Sequence, residues 1–123
     1  MARELQILQE ALSLPKYLFH GTSYTQLMNI KKKKWIVDDL YLADMESKSW
    51  DYAEIQDQRD HSGTILIVLE VKSLNKNNIK VDRGSNEDEW KLDMGQYIYH
   101  GNIQKAILNI FVAPNKEIET KIW

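Results

Sequence analysis

The 123-residue chain contains no cysteine, which excludes disulfide frameworks, thiolate catalysis and cysteine-ligated zinc. That absence leaves the redox compartment open. Prolines number two, Pro15 and Pro114, and glycines five. Neither a proline-rich linker nor a glycine-rich phosphate loop of P-loop or dinucleotide-fold spacing can be assembled from them. Neither sign of charge dominates, since 16 basic against 18 acidic side chains leaves −2 at pH 7. This balance argues against a protein whose main task is coating nucleic acid or an anionic membrane. The longest apolar stretch, Ile65 to Leu69, falls far short of the roughly 20 residues a bilayer-spanning helix needs. Near the start, Leu5, Ile7, Leu8, Ala11 and Leu12 alternate with Gln6, Gln9 and Glu10. That is helical spacing, not the continuous apolar core of a signal peptide. The expectation is a cytoplasmic protein with no membrane partner.

Apolar residues make up 43% and charged residues 28% of the chain, an ordinary balance for a globular domain. The length predicts one domain, residues 1–123, because single cores commonly hold roughly 100–150 residues. A helix is expected over 3–13, ending ahead of Pro15. Residues 16–20 read as a strand entering a Gly21-Thr22 turn. Ser23 then caps a second helix, with Gln26 as its capping-box partner. Lys31 to Lys34 close that helix, where positive charge suits the dipole. Residues 35–43 read as extended. A third helix is expected over 47–58 with Trp50, Ala53 and Ile55 inward. The run from Thr64 to Val71 predicts a strand buried on both faces. A turn at 74–78, a strand at 79–81, an acidic loop at 86–89 and strands at 96–99 and 106–113 complete the pattern. Helices gather in the first half and strands in the second, an α+β arrangement rather than a βαβ repeat.

Standard catalytic motifs are missing. His20, His61 and His100 lack HExxH-type spacing, and no serine has a GxSxG context. Three segments in order carry a different signal. They are Phe19-His20-Gly21-Thr22, then Tyr41-Leu42-Ala43-Asp44-Met45-Glu46-Ser47-Lys48-Ser49-Trp50-Asp51-Tyr52-Ala53, then Gly95-Gln96-Tyr97-Ile98-Tyr99. Together they resemble the catalytic core of the ADP-ribosyltransferase superfamily, in particular its diphtheria-toxin and poly(ADP-ribose) polymerase branch. That branch has an H-G-[ST] segment, a Y-x-A strand running into an S-x-x-Y helix, and a late strand with a catalytic glutamate. The resemblance spans residues 19–99, although only about two dozen positions carry it. It implies a split antiparallel β core with flanking helices and an NAD cleft, no metal, and nicotinamide release with transfer of ADP-ribose.

The resemblance also implies roles. His20 would bond the adenosine-side ribose of NAD. The Gly21 backbone would pair with the nicotinamide carboxamide, glycine allowing close ligand approach. Tyr41 and Tyr52 would sandwich the nicotinamide ring in the offset stacking that aromatic rings favour. Ser49 would bond the carboxamide, and Thr22 and Ala43 complete the cofactor-binding set. On a helix, Ser49 and Tyr52 are three residues apart and share a face. His20, Tyr41 and Gln96 form the catalytic set.

Gln96 is the departure from the family pattern, because it stands where the branch carries glutamate. Glutamine keeps a ribose hydrogen bond and loses the charge that offsets a cationic transition state. At about 4 Å and an effective dielectric near 20, that charge is worth roughly 4 kcal/mol, or about a thousandfold in rate. Some members of the superfamily work without the glutamate, and Glu87, Asp88 or Glu89 offers a substitute.

Plainer readings exist for each residue. His20 alone reads as a structural histidine, Tyr41 and Tyr52 as core aromatics, and Ser49 as a helix-surface serine. Tyr97 is expected in the core, Lys31–Lys34 as a solvated helix end, and residues 87–89 as a solvated loop. His61 and His100 carry no signal above background. The sequence thus points to an NAD-dependent mono-ADP-ribosyltransferase acting on a macromolecular acceptor, a protein in preference to a nucleic acid. Its size matches a toxin, effector or phage-encoded modifier by analogy. The alternatives are a non-catalytic NAD- or ADP-ribose-binding or partner-blocking module, and an NAD glycohydrolase.

Overall fold

The computed structural model describes residues 14–81 and 96–112 and the backbone of Lys116–Glu117. The expected helix at 3–13 and the acidic loop at 86–89 lie outside the described residues. The order is β1 (Tyr17–Ser23), α1 (Tyr24–Lys32), β2 (Ile36–Ala43), α2 (Glu46–Asp60), β3 (Thr64–Glu70), β4 (Ile79–Val81), β5 (Gln96–Asn102), β6 (Ile107–Val112) and β7 (Lys116–Glu117). Short 3-10 turns at Val71–Ser73, Lys76–Asn78 and Gln104–Ala106 bridge the later strands. The result is a small α+β domain. Its strands form one sheet in the order β4-β5-β2-β1-β3-β6-β7, every neighbouring pair antiparallel.

The pairing is uneven. β1 and β3 are in register along seven residues, from Tyr17 with Glu70 to Ser23 with Thr64. β2 and β5 pair from Ile36 with Asn102 to Ala43 with Gln96, interrupted between Val37 and Leu40. Asp39 sits there at φ 50, the left-handed residue that such a bulge accommodates. β1 and β2 meet at one pair, Phe19 with Ala43. The sheet therefore consists of two well-paired portions joined at a narrow seam.

β3 carries the core. Ile65, Ile67 and Leu69 join Leu18, Leu27, Val37, Leu40, Leu42, Tyr99 and Ile110 in one buried cluster. Leu66, also fully buried, points from the opposite face of β3, since successive side chains alternate. Burial on both faces, expected from the apolar run, is what the strand shows. Each such side chain contributes roughly 1.5–3 kcal/mol. Tyr99 satisfies its hydroxyl by accepting from the Asn75 amide at 3.1 Å.

Several local expectations are corrected. Gly21 and Thr22 are not a turn; they continue β1, paired with Leu66 and Ile65. Trp35 does not open β2 as extended backbone. Lys34 and Trp35 have φ of 57 and 65, reversing the chain after α1, and Trp35 is buried in the core. α2 turns Ser49 and Ala53 inward, whereas Ile55 is exposed and Trp50 only half-buried. The reason is Gly21. A Cβ there would lie 1.6 Å from the Ser49 carbonyl oxygen and 3.0 Å from the Ala53 nitrogen. The helix backbone rests directly on β1, and only small side chains fit between them.

A polar cluster ties the ends of the helices together. Ser23 caps α1 by accepting from the Gln26 amide and donates to Asp60 Oδ2 at 2.5 Å. Ser62 Oγ accepts from the Thr25 amide and donates to Asp60 Oδ1, which also accepts from the Ser62 amide. These bonds, those from Ser23 and Ser62 foremost, hold the Asp60 carboxyl below its ordinary pKa. His61 ends α2 at φ 54, and Gly63 at φ 111 turns the chain into β3, a conformation glycine adopts without penalty.

Candidate functional site

Beside the seam between β1 and β2 lies a cavity of about 220 Å³, lined by His20, Gly21, Tyr41, Leu42, Ala43, Ser49, Tyr52, Gln56 and Gln96. Four elements supply these residues. β1 provides His20 and Gly21, and β2 provides residues 41–43. α2 contributes Ser49, Tyr52 and Gln56, whose spacing of three and four places them on one helical face. Gln96 opens β5 and is in register with Ala43, itself in register with Phe19. The cross-strand row Phe19-Ala43-Gln96 thus brings the third sequence segment beside the first.

His20 is half-buried, and its Nδ1 lies 2.7 Å from the Tyr41 carbonyl oxygen. A carbonyl only accepts, so Nδ1 carries the proton and donates. Nε2 of the neutral ring is then an acceptor. Burial pushes the His20 pKa below its ordinary value, partly countered by the Tyr41 bond. The ring is neutral at pH 7.

Ser49 is buried and donates through Oγ to the Phe19 carbonyl at 3.0 Å. Its hydroxyl keeps lone pairs with which to accept from a bound group. Tyr41 and Tyr52 are 59% and 46% exposed despite lining the cavity. Two aromatic side chains thus stand open to solvent at the same hollow. Gln96 Nε2 donates to the Tyr52 hydroxyl at 3.2 Å. Tyr97, half-buried against the core as expected, has its pKa raised by burial and by Asp44 nearby.

Seven of the residues singled out in the sequence, His20, Gly21, Tyr41, Ala43, Ser49, Tyr52 and Gln96, line this one cavity. Thr22 does not. It is buried and lines an adjoining groove of about 940 Å³, together with Gln26, Asn29 and Lys33 of α1, Ile36 and Asp38 of β2, and His100 of β5. Lys33, expected as part of a solvated helix end with phosphate or nucleic-acid contact as the lesser reading, and His100, expected to carry nothing, thus border a concave surface. Leu42 and Gln56 line the cavity without having been anticipated. Leu42 had no signal beyond its strand position; Gln56 had one available in its helical offset from Ser49 and Tyr52.

Among the described residues, no carboxylate lines the cavity. Nor does any group of three or more His, Asp or Glu side chains there have the arrangement to hold a metal ion. No helix among them is long and apolar enough to cross a membrane. Glu87, Asp88 and Glu89 lie outside the described residues. No protein-family model matches the chain, and no curated protein matches it.

Proposed function

We propose that the cavity receives the nicotinamide end of NAD and that the protein transfers ADP-ribose to a macromolecular acceptor. The observation carrying this is the gathering of seven residues from three separated segments, each suited chemically to its part. Two exposed tyrosines offer ring faces to a flat aromatic head. Ser49 accepts from a carboxamide N–H, and Gly21 lines the cavity beside it. His20 Nε2, a bare acceptor, accepts a hydrogen bond from a ribose hydroxyl. On this reading the fold is the split antiparallel core of the ADP-ribosyltransferases, with the seam at Phe19 and Ala43 as the split.

NAD supplies an ADP-ribosyl group joined to a good leaving group. The bond between the nicotinamide ring nitrogen and the ribose carbon breaks, and nicotinamide leaves neutral with the electron pair. The acceptor nucleophile forms the new bond at that carbon and releases its proton to solvent. The protein orients both partners, Tyr41 and Tyr52 holding the leaving ring and Gln96 holding a ribose hydroxyl. An acceptor protein is preferred to a nucleic acid because the chain carries no net positive charge.

One observation favours a second reading. Gln96 supplies an amide where a carboxylate would counter positive charge, and it already donates to Tyr52. That arrangement suits a module that holds NAD or ADP-ribose without turnover. NAD labelled separately in its adenosine and nicotinamide halves, incubated with and without cell extract, separates the cases. Transfer puts the adenosine label on macromolecules, hydrolysis frees both halves, and inert binding frees neither.

A further inference from the structure

The cavity and the adjoining groove share three lining residues, His20, Gly21 and Gln56. Any ligand occupying both spaces passes between them. Gly21 has no side chain, so the junction is walled by an imidazole and a carboxamide. The His20 Nδ1 proton is committed to Tyr41, which leaves Nε2 able only to accept. Gln56 is half-buried, and its carboxamide carries two donors and an acceptor. A group lodged between these walls satisfies both when it donates to the imidazole and pairs with either end of the amide. A hydroxyl does so. An ionised phosphate oxygen has no proton to offer Nε2.

We propose that Gln56 is a specificity-determining residue, reading with His20 a ribose hydroxyl at the junction of cavity and groove. The inference rests on the NAD reading above and adds to it a residue and a selection rule. A ligand lacking that hydroxyl leaves Nε2 and the Gln56 amide without their bonds, a loss the site cannot recover from water once it is filled.

The test measures affinities of wild type, Gln56→Ala and Gln56→Leu for NAD, for nicotinamide, and for two NAD analogues each lacking one ribose 2′-hydroxyl. Wild type is expected to bind one of the deoxy analogues about 2- to 10-fold more weakly than NAD, the range one neutral hydrogen bond gives. Both variants should bind NAD weaker by a similar factor and no longer distinguish it from that analogue. Nicotinamide, which fills the cavity alone and does not reach the junction hydroxyl, should lose clearly less affinity than NAD in both variants, and its retained binding also verifies that the variants fold. Undiminished discrimination in both variants, or equal losses for NAD and nicotinamide, overturns the role of Gln56. A wild-type protein that binds neither NAD nor nicotinamide overturns the underlying reading instead, and the inference with it.

Discussion

The imidazole of His20 and the carbonyl of Tyr41 hold β1 to β2 just past the point where their backbones cease to pair. Phe19 and Ala43 form the ladder contact between these strands, and the 2.7 Å bond from His20 Nδ1 follows it. A side chain does here what an amide does elsewhere in the sheet. The same bond selects the tautomer and leaves Nε2 as an acceptor at the cavity. The strand contact and the bare acceptor at the cavity thus depend on one proton.

That dependence gives a pH signature. Burial lowers the His20 pKa from its ordinary 6.5. As pH falls past about 6.5 the unfolded chain takes up this proton before the folded one does, so stability declines with acidification across that window. At pH above it the contribution is complete. NAD affinity should be flat above neutrality and fall once the folded-state pKa is passed, because a protonated Nε2 no longer accepts. Melting temperature and NAD affinity from roughly pH 5 to 8, for wild type and His20→Ala, check this; the variant should lose part of the acid-side decline in stability.

Gly21 is predicted to resist any substitution. In Gly21→Ala the new methyl meets the Ser49 carbonyl at 1.6 Å, and helix backbone cannot rotate away as a side chain could. Overpacking of this kind costs about 1–3 kcal/mol and sometimes more. Denaturant unfolding of the variant should show at least that loss. A stability equal to wild type would mean that α2 does not rest on β1 as described.

Ser23→Ala tests the cluster that joins α1 to α2. It removes the cap on Gln26 and one donor to Asp60. Losing such a cap costs about 0.5–2 kcal/mol, measured as a lower unfolding midpoint. NAD affinity should be unchanged, since Ser23 lines neither the cavity nor the groove.

These elements also mark how far the sequence was legible. The β-branched run from Thr64 declared a strand buried on both faces, and Ser23 with Gln26 declared the start of α1, because both signals are local. The candidate site was legible through motif order alone: His20, Tyr41, Ser49, Tyr52 and Gln96 meet at one cavity although up to 76 positions separate them. What escaped was set by packing. Trp50 and Ile55 are the bulky apolar residues of α2, yet Ser49 and Ala53 face inward because Gly21 draws the helix backbone onto β1. The same strand pairing overrode the turn signal of Gly21. Two consecutive left-handed residues at Lys34 and Trp35 had no sequence signal, since tryptophan rarely adopts positive φ.

Gln96 separates an enzyme from a binding module. Gln96→Glu restores negative charge in nearly the same volume, and the Tyr52 hydroxyl can reverse its bond and donate to the new carboxylate. Nicotinamide release should rise by up to about a thousandfold. Gln96→Ala loses one hydrogen bond and should fall about 2- to 10-fold in whatever release the wild type has. Identical rates in wild type and both variants would place Gln96 away from the reaction centre.

Calorimetric titration of NAD into wild type, His20→Ala and Tyr52→Ala tests the central claim most directly. Wild type should bind NAD and gain thermal stability from it, as a ligand held by the folded state alone confers. Each variant should remain folded and lose most of that binding, His20→Ala through the missing acceptor and Tyr52→Ala through the missing ring face. Equal affinity in all three proteins, or no binding by wild type, would contradict the assignment of this cavity to NAD.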